Sequence, residues 1–127
     1  MKNKKIKSFT DLIAWKEGHE LVILVFEEIK KFSRDVYFLK DQMGRCVVSI
    51  TSCIAEGFSR KSRKEKVQFY YMSLGSTTEL QNQLLIAKDL GYISKKKFRI
   101  IADKTIFVHK LINGLIKSAE GIKTLNT

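Results

Sequence analysis

The sequence predicts an all-α protein, an up-down antiparallel four-helix bundle, from three observations. Apolar residues recur at steps of three and four along four long segments, which is the spacing of one helical face. The 127-residue chain contains no proline, a common turn residue that an all-β protein of this length would need repeatedly. With 44% apolar residues, the chain is also long and hydrophobic enough to close a single core.

The first predicted helix carries more apolar surface than a helix of a monomeric bundle needs. Its main stripe consists of Leu12, Trp15, His19, Val22, Phe26 and Ile29. The run Leu21–Phe26 is apolar at every position and adds hydrophobic surface around the rest of the cylinder. Because one stripe is enough for an outer helix, we expect another subunit to cover the outer face of this one.

The ends of the other three helices are marked by their residues. The second runs from about Leu39 to Gly57, where a glycine in the left-handed conformation would end it. The third begins at Ser62–Glu65, which has the capping-box spacing, and ends near Gly91. The fourth starts at Ser94, a residue type favoured as N-cap. Because the connections are short, neighbouring helices should run antiparallel.

The chain is expected to form one bundle domain over residues 9–120, between a basic flexible tail at 1–8 and a loose C-terminus at 121–127. The longest unbroken apolar run has six residues, Leu21–Phe26, whereas a membrane helix needs roughly 18 to 20. Cys46 and Cys53 lie on one predicted helix about 10 Å apart along its axis, too far for a disulfide. These observations predict a cytoplasmic protein without a membrane partner.

The formal net charge of +11 is concentrated in the N-terminal tail and in two segments that are predicted to join helices. Charge in such places attracts polyanions, although a merely basic solvated surface is the competing interpretation. The candidate nucleic-acid-binding residues are Arg60, Lys61, Arg63, Lys64, Lys66, Lys95, Lys96 and Lys97. Phe69, Tyr70 and Tyr71 follow the first group, but Phe69 and Tyr70 occupy positions that a helix buries, so we expect the charges rather than the rings to bind.

Two polar stripes interrupt the apolar pattern. One, on the second helix, contains Arg45, Ser49, Ser52 and Glu56, and the other, on the third helix, contains Ser76, Glu79 and Gln83. They are interpreted either as a buried or inter-subunit hydrogen-bond network, for instance with Arg45 paired to Glu79, or as two solvated faces. Spacing alone leaves both interpretations open.

No pattern of catalytic or metal-binding residues is present in the sequence. His19 and His109 lie on different predicted helices, and neither follows a glutamate by three residues, as a di-iron bundle requires. Zinc motifs and phosphate-binding glycine loops are also absent. The sequence therefore predicts a non-enzymatic protein that holds neither a metal nor a cofactor.

Several motifs together resemble one family of four-helix bundles. Phe9–Leu12 with Trp15-Lys16 is similar to the family's opening, and the central signature is matched by Gln42, Arg45, Ser49–Phe58, Arg60, Ser62 and Glu65. Gly75-Ser76, Glu79-Leu80, Gln83-Leu84 and Leu90–Tyr92 complete the match. The family is the one named after the 23S rRNA intervening-sequence protein. The chain departs from it at Thr51, where proline is common, at Cys53, where asparagine is common, and at Gly44, where a basic residue is frequent.

The resemblance implies a ring-shaped homopentamer from a bacterium. Members are encoded within intervening sequences of 23S rRNA genes or stand alone, and their biochemical role is unestablished. The accessory variability protein of diversity-generating retroelements, which works with a reverse transcriptase and RNA, is a related branch. We therefore expect a basic oligomeric scaffold that binds nucleic acid, RNA being favoured, through backbone contacts. The alternative is a protein-interaction scaffold for an acidic protein or for a reverse transcriptase or other polymerase.

Overall fold

The computed structural model describes residues 5–121, which form four long helices in sequence. They are α1 (Ile13–Ile29), α2 (Tyr37–Ser59), α3 (Arg63–Asp89) and α4 (Lys95–Ala119), and short 3-10 turns precede α1 and α2. Each helix packs against the next, and α4 returns to α1 and closes the bundle. The all-α prediction and the antiparallel bundle are confirmed, and the described part of the chain contains no strand.

None of the helices within residues 5–121 combines the length and hydrophobicity needed to cross a membrane. The predicted flexible tail lies partly outside the described residues, since Lys2 and Lys4 fall there, as do residues 122–127 of the predicted loose C-terminus. The flexibility of both termini stays a prediction. Lys5 and Lys7, which the structure describes, are exposed.

The serine N-caps predicted for α3 and α4 are both present. The Ser62 hydroxyl oxygen accepts from the Glu65 amide at 3.1 Å, and Ser94 does the same for the Lys97 amide at 3.1 Å. The capping box at Ser62 is only half formed, because the Glu65 carboxylate accepts from the serine hydroxyl at 3.3 Å instead of from the cap amide. The predicted end of α3 near Gly91 is confirmed: Gly91 has a φ of +84°, and the Tyr92 amide donates back to the Ala87 carbonyl, which forms a Schellman motif.

Gly57 does not end α2 as expected. The helix continues to Ser59, and no positive φ occurs at Gly57. The glycine is needed for space instead, because a Cβ atom there would lie 2.7 Å from Cε1 of Tyr70 on α3. A side chain at this position would therefore collide with a buried ring, and glycine lets α2 and α3 approach closely.

The stripe predicted for α1 is displaced from the face that the fold buries. Its buried residues are Ala14, Gly18, Leu21, Val25, Glu28 and Ile29, so that His19 and Phe26 are exposed and Trp15 is half-buried. Gly18 explains the rotation, since a Cβ there would meet Cγ2 of Thr51 at 3.1 Å. A small residue on α1 lets α2 approach closely. The apolar spacing of the sequence instead predicts that the large residues beside it are buried.

Candidate nucleic-acid interface

The connection between α2 and α3 presents three free cations. Lys61 lies in the turn, and Arg63 and Lys64 are the first two residues of α3. All three are exposed, and none forms an ion pair with any residue in the range 5–121. We call the part of the bundle that contains residues 58–66 the α2–α3 end.

Arg60, at the same end, forms contacts within the chain. Its Nη2 donates to Oε2 of Glu56 at 2.7 Å, and its guanidinium carbon lies 4.8 Å from the ring centroid of Phe69. The Arg60 side chain is 38% exposed. Arg60 therefore links the last turn of α2 to the second turn of α3, and only part of its charge faces the solvent.

Lys66 is also engaged within the chain. Its Nζ donates to the carbonyl of Phe58 at 2.7 Å and to that of Gly57 at 3.4 Å. Both belong to the last turn of α2, where carbonyls have no partner inside the helix, although the Gly57 carbonyl also accepts from the Arg60 amide at 3.2 Å. A lysine at that place satisfies the Phe58 carbonyl and complements the negative end of the helix dipole. Of the five cations predicted here, two therefore serve the fold and three remain free.

The second predicted group, Lys95, Lys96 and Lys97, occupies the first turn of α4. All three side chains are exposed and without an ion pair among the described residues. Phe32 contacts Tyr92 with 5.7 Å between ring centroids, which brings the α1–α2 connection beside this group. We call this part, residues 30–36 and 90–97, the α3–α4 end.

Sequence reasoning missed the cations of the α1–α2 connection. Lys30 and Arg34 are exposed and belong to the α3–α4 end through the Phe32–Tyr92 contact. The net charge of this segment of the sequence does not reveal them, because Glu27, Glu28 and Asp35 offset their positive charges. Only the packing of one connection against another reveals the added positive charge.

The fold does not bring the two predicted basic groups together. They flank α3 at its two ends, and a helix of 27 residues is about 40 Å long. The candidate residues therefore form two separate basic surfaces, and a ligand must extend along the bundle to contact both.

The two polar stripes meet in part. Ser49 and Ser76 are joined by a hydrogen bond of 3.0 Å between their hydroxyls, which supports the network interpretation at this point. The suggested pair of Arg45 with Glu79 is not formed, because Arg45 Nε donates to Asp41 at 3.0 Å. Arg45 and Glu79 are both exposed in the single chain, so they form no buried pair with each other, and an inter-subunit role for them stays a prediction.

Cys46 completes this contact between α2 and α3, and Gln83 of the α3 stripe is buried. The Cys46 thiol lies 3.0 Å from the Ser76 carbonyl and 3.6 Å from Glu79 Oε1. Burial, together with the Glu79 carboxylate, raises the pKa of Cys46 to about 12, so the thiol stays protonated and unreactive. Gln83 is 7% exposed, and its Oε1 has no hydrogen-bond partner in the described chain.

A metal centre finds no support in the described residues, which contain no group of three or more His, Cys, Asp or Glu side chains arranged to hold an ion. His19 lies on the surface, stacked on Trp15 with 4.7 Å between ring centroids. The expectation of a protein without enzymatic activity stays a prediction.

Comparison with known proteins agrees with the fold. A crystal structure from Bacteroides thetaiotaomicron VPI-5482, described as a protein of unknown function from the S23 ribosomal protein family, superposes with a TM-score of 0.77. It is 19% identical, and the match covers 83% of this chain and 96% of that one. No protein of curated function matches the chain. The family model described as 23S rRNA-intervening sequence protein matches residues 10–114, and the chain therefore belongs to the family of 23S rRNA-intervening sequence proteins.

Proposed function

We propose that this chain is a cytoplasmic, non-enzymatic, self-associating scaffold that binds structured RNA through its phosphate backbone. The observation that carries the proposal is the group Lys61, Arg63 and Lys64, three exposed cations without an ion-pair partner in the described chain. Free cations on one surface attract a polyanion and release its counterions on binding.

The position of these charges argues against a purely structural role. The N-terminus of a helix is the positive end of its dipole, so cations there lower helix stability and carboxylates raise it. Arg63 and Lys64 occupy the first two positions of α3, and Lys95–Lys97 occupy the first three of α4. The Arg63 guanidinium lies beside Gly121, just after the C-terminus of α4, where a cation complements the helix dipole. Folding gains nothing of this kind from Lys64 and Lys95–Lys97, so an anionic ligand gives the better explanation for these four.

Self-association is supported by apolar surface that one chain leaves uncovered. On α1, Ile23 is 50% and Phe26 44% exposed, and Val48 on α2 is 41% exposed. Phe26 and Val48 line a groove of about 810 Å³ between these two helices, with Gly44 also in its lining. A second copy of the chain that covers this groove would account for the excess of apolar residues on α1, and a homopentamer is the assembly that the family resemblance implies.

Binding of a structured RNA to the full chain at 50 and 200 mM salt tests the RNA proposal. We expect wild-type affinity to fall steeply with salt, and the double variant K61E/K64E to bind at least about tenfold more weakly, with a logarithmic salt slope smaller by about two. The losses should be similar on unrelated RNA sequences because phosphate contacts carry no sequence information.

The matched control is K16E/K110E, which makes the same change in net charge at two exposed positions on α1 and α4. It should retain most of the affinity and the salt slope. Equal losses for the two double variants would mean that net charge rather than the α2–α3 end binds RNA. If the nuclease-treated wild-type protein does not bind RNA at 50 mM salt, the proposal of RNA binding is wrong.

Light scattering on the nuclease-treated protein tests self-association. A pentamer has five times the chain mass of 14.7 kDa, and V48E, which places a charge in the α1–α2 groove, should reduce the measured mass. A monomeric wild type at micromolar concentration would contradict this part of the proposal.

The same free cations also suit an acidic protein, which is the second candidate partner. The resemblance to the accessory variability protein makes a reverse transcriptase one such partner. A salt-sensitive complex with a protein that survives nuclease treatment, combined with no affinity for RNA, would favour this second candidate.

A further inference from the structure

Three consecutive aromatic residues follow the basic turn, and the fold buries them to different degrees. Tyr70 is 3% exposed, with its ring over Gly57. Phe69 is half-buried and faces the guanidinium of Arg60. Tyr71 is 52% exposed, and it makes no hydrogen bond or ring contact with any residue in the range 5–121. Tyr71 is therefore the ring in this run that is open to a ligand.

Tyr71 lines a shallow, open groove of about 510 Å³ that residues of α3 alone form on its exposed side. The other lining residues are Lys64, Val67, Gln68 and Met72. Long side chains on a helix point back toward its N-terminus, so Tyr71 extends toward Lys64, two turns earlier. The groove thus has an apolar floor, an aromatic ring and, at the α2–α3 end, a free cation.

The charges decide which kind of ligand fits this groove. No carboxylate is among the lining residues that the structure describes, and Lys64 in the lining and Lys61 in the preceding turn are both exposed cations without an ion pair in the described chain. A purely apolar protein segment would leave these cations without a partner. A nucleotide offers both a flat ring that stacks on an aromatic side chain and a phosphate that pairs with a cation.

We propose that this groove receives an unpaired RNA base stacked on Tyr71, while the phosphates beside that base contact Lys64 and Lys61. The inference rests on the proposed RNA binding and deepens it, because it names the feature that is recognised: a loop, bulge or single-stranded end rather than a continuous duplex. Gln68 also lies in the groove lining, and its amide, which carries both donors and an acceptor, suits the polar edge of any base. Stacking accepts any base, so the site distinguishes unpaired from paired RNA without reading a sequence.

The test compares two RNAs with equal numbers of phosphates, a hairpin with an unpaired loop and a blunt duplex, on the full-length protein. We expect Y71L to bind the hairpin about fivefold to a hundredfold more weakly, and to bind the duplex within about twofold of the wild type. Y71F keeps the ring and should bind both RNAs like the wild type. The salt slope should stay the same in both variants because no charge changes.

Phe38 supplies the matched control, since it is an aromatic residue with 71% exposure in the first turn of α2, near the opposite end of the bundle. F38L should leave the affinity for both RNAs unchanged. If F38L weakens hairpin binding as strongly as Y71L does, exposed aromatic rings act without regard to position and the assignment of this groove is wrong.

Failure of this inference and failure of the proposed function give different results. If K61E/K64E weakens RNA binding but Y71L does not, the base-stacking site is overturned while RNA binding stands. Equal losses of hairpin and duplex in Y71L overturn the preference for unpaired bases. A lower oligomeric mass of Y71L with unchanged RNA affinity assigns the groove to a contact between copies and also overturns the inference. If the wild-type protein binds neither RNA, both the base-stacking site and the proposed RNA binding are wrong.

Discussion

The α2–α3 end and the α3–α4 end carry comparable positive charge, but the fold uses the charges differently. At the α2–α3 end, Lys66 satisfies a carbonyl of α2 and Arg60 bridges Glu56 and Phe69. At the α3–α4 end, Lys95, Lys96 and Lys97 are all exposed, and the turn is closed by a glycine and a serine cap. A count of basic residues therefore overstates the binding surface at one end and understates it at the other, where Lys30 and Arg34 add to it.

The largest change in stability is expected for a variant that disturbs the close packing of the α2–α3 end. In G57A the new Cβ collides with the buried ring of Tyr70, and we expect the free energy of unfolding to fall by about 2 to 3 kcal/mol. Urea denaturation at a fixed protein concentration measures it. The control is G75A, where nothing lies within 4 Å of the new atom, so that stability should rise by about 0.5 to 1 kcal/mol. Similar losses in both variants would contradict the steric explanation.

The next effect separates a structural cation from a binding cation. K66A removes the hydrogen bonds to the Phe58 and Gly57 carbonyls, and we expect about 1 to 2 kcal/mol lower stability. K64A should change stability by less than about 0.5 kcal/mol and should weaken RNA binding instead. Thermal or urea unfolding and RNA titration on both variants check this. If K64A is less stable than K66A, Lys64 is the structural cation and this prediction is wrong.

A glycine at the α3–α4 end is required for its backbone conformation, in contrast to Gly57. G91A forces a side chain into a φ of +84°, although nothing lies within 4 Å of the new Cβ. We expect a loss of about 1 kcal/mol in the free energy of unfolding. The control is G114A, which is also in open space but lies inside α4 and should be slightly stabilising. If G114A loses as much stability as G91A, the positive φ of Gly91 does not explain the loss.

The smallest effect concerns the free lysines of the α3–α4 end. K96E replaces a cation by a carboxylate in the first turn of α4, which should raise stability by about 0.3 to 1 kcal/mol. Because the two ends lie about 40 Å apart, K96E should reduce affinity for a short hairpin by less than about threefold. Its effect should grow with an RNA long enough to reach both ends, and an equal loss on short and long RNA would contradict two separate surfaces.

The sequence by itself determined the helices, the serine caps of α3 and α4, the Gly91 end of α3 and the two basic groups beside α3, because each depends on local spacing or on the chemistry of adjacent residues. The family resemblance, carried by a long central motif, was also readable there. The tertiary structure alone decided that Gly57 provides space, that Gly18 directs the buried face of α1, and that Lys66 and Arg60 belong to the fold. It also left Phe69 only half-buried, against the guanidinium of Arg60. These outcomes depend on which side chain of a distant helix lies opposite, and contacts of that kind leave no periodic signal in the sequence.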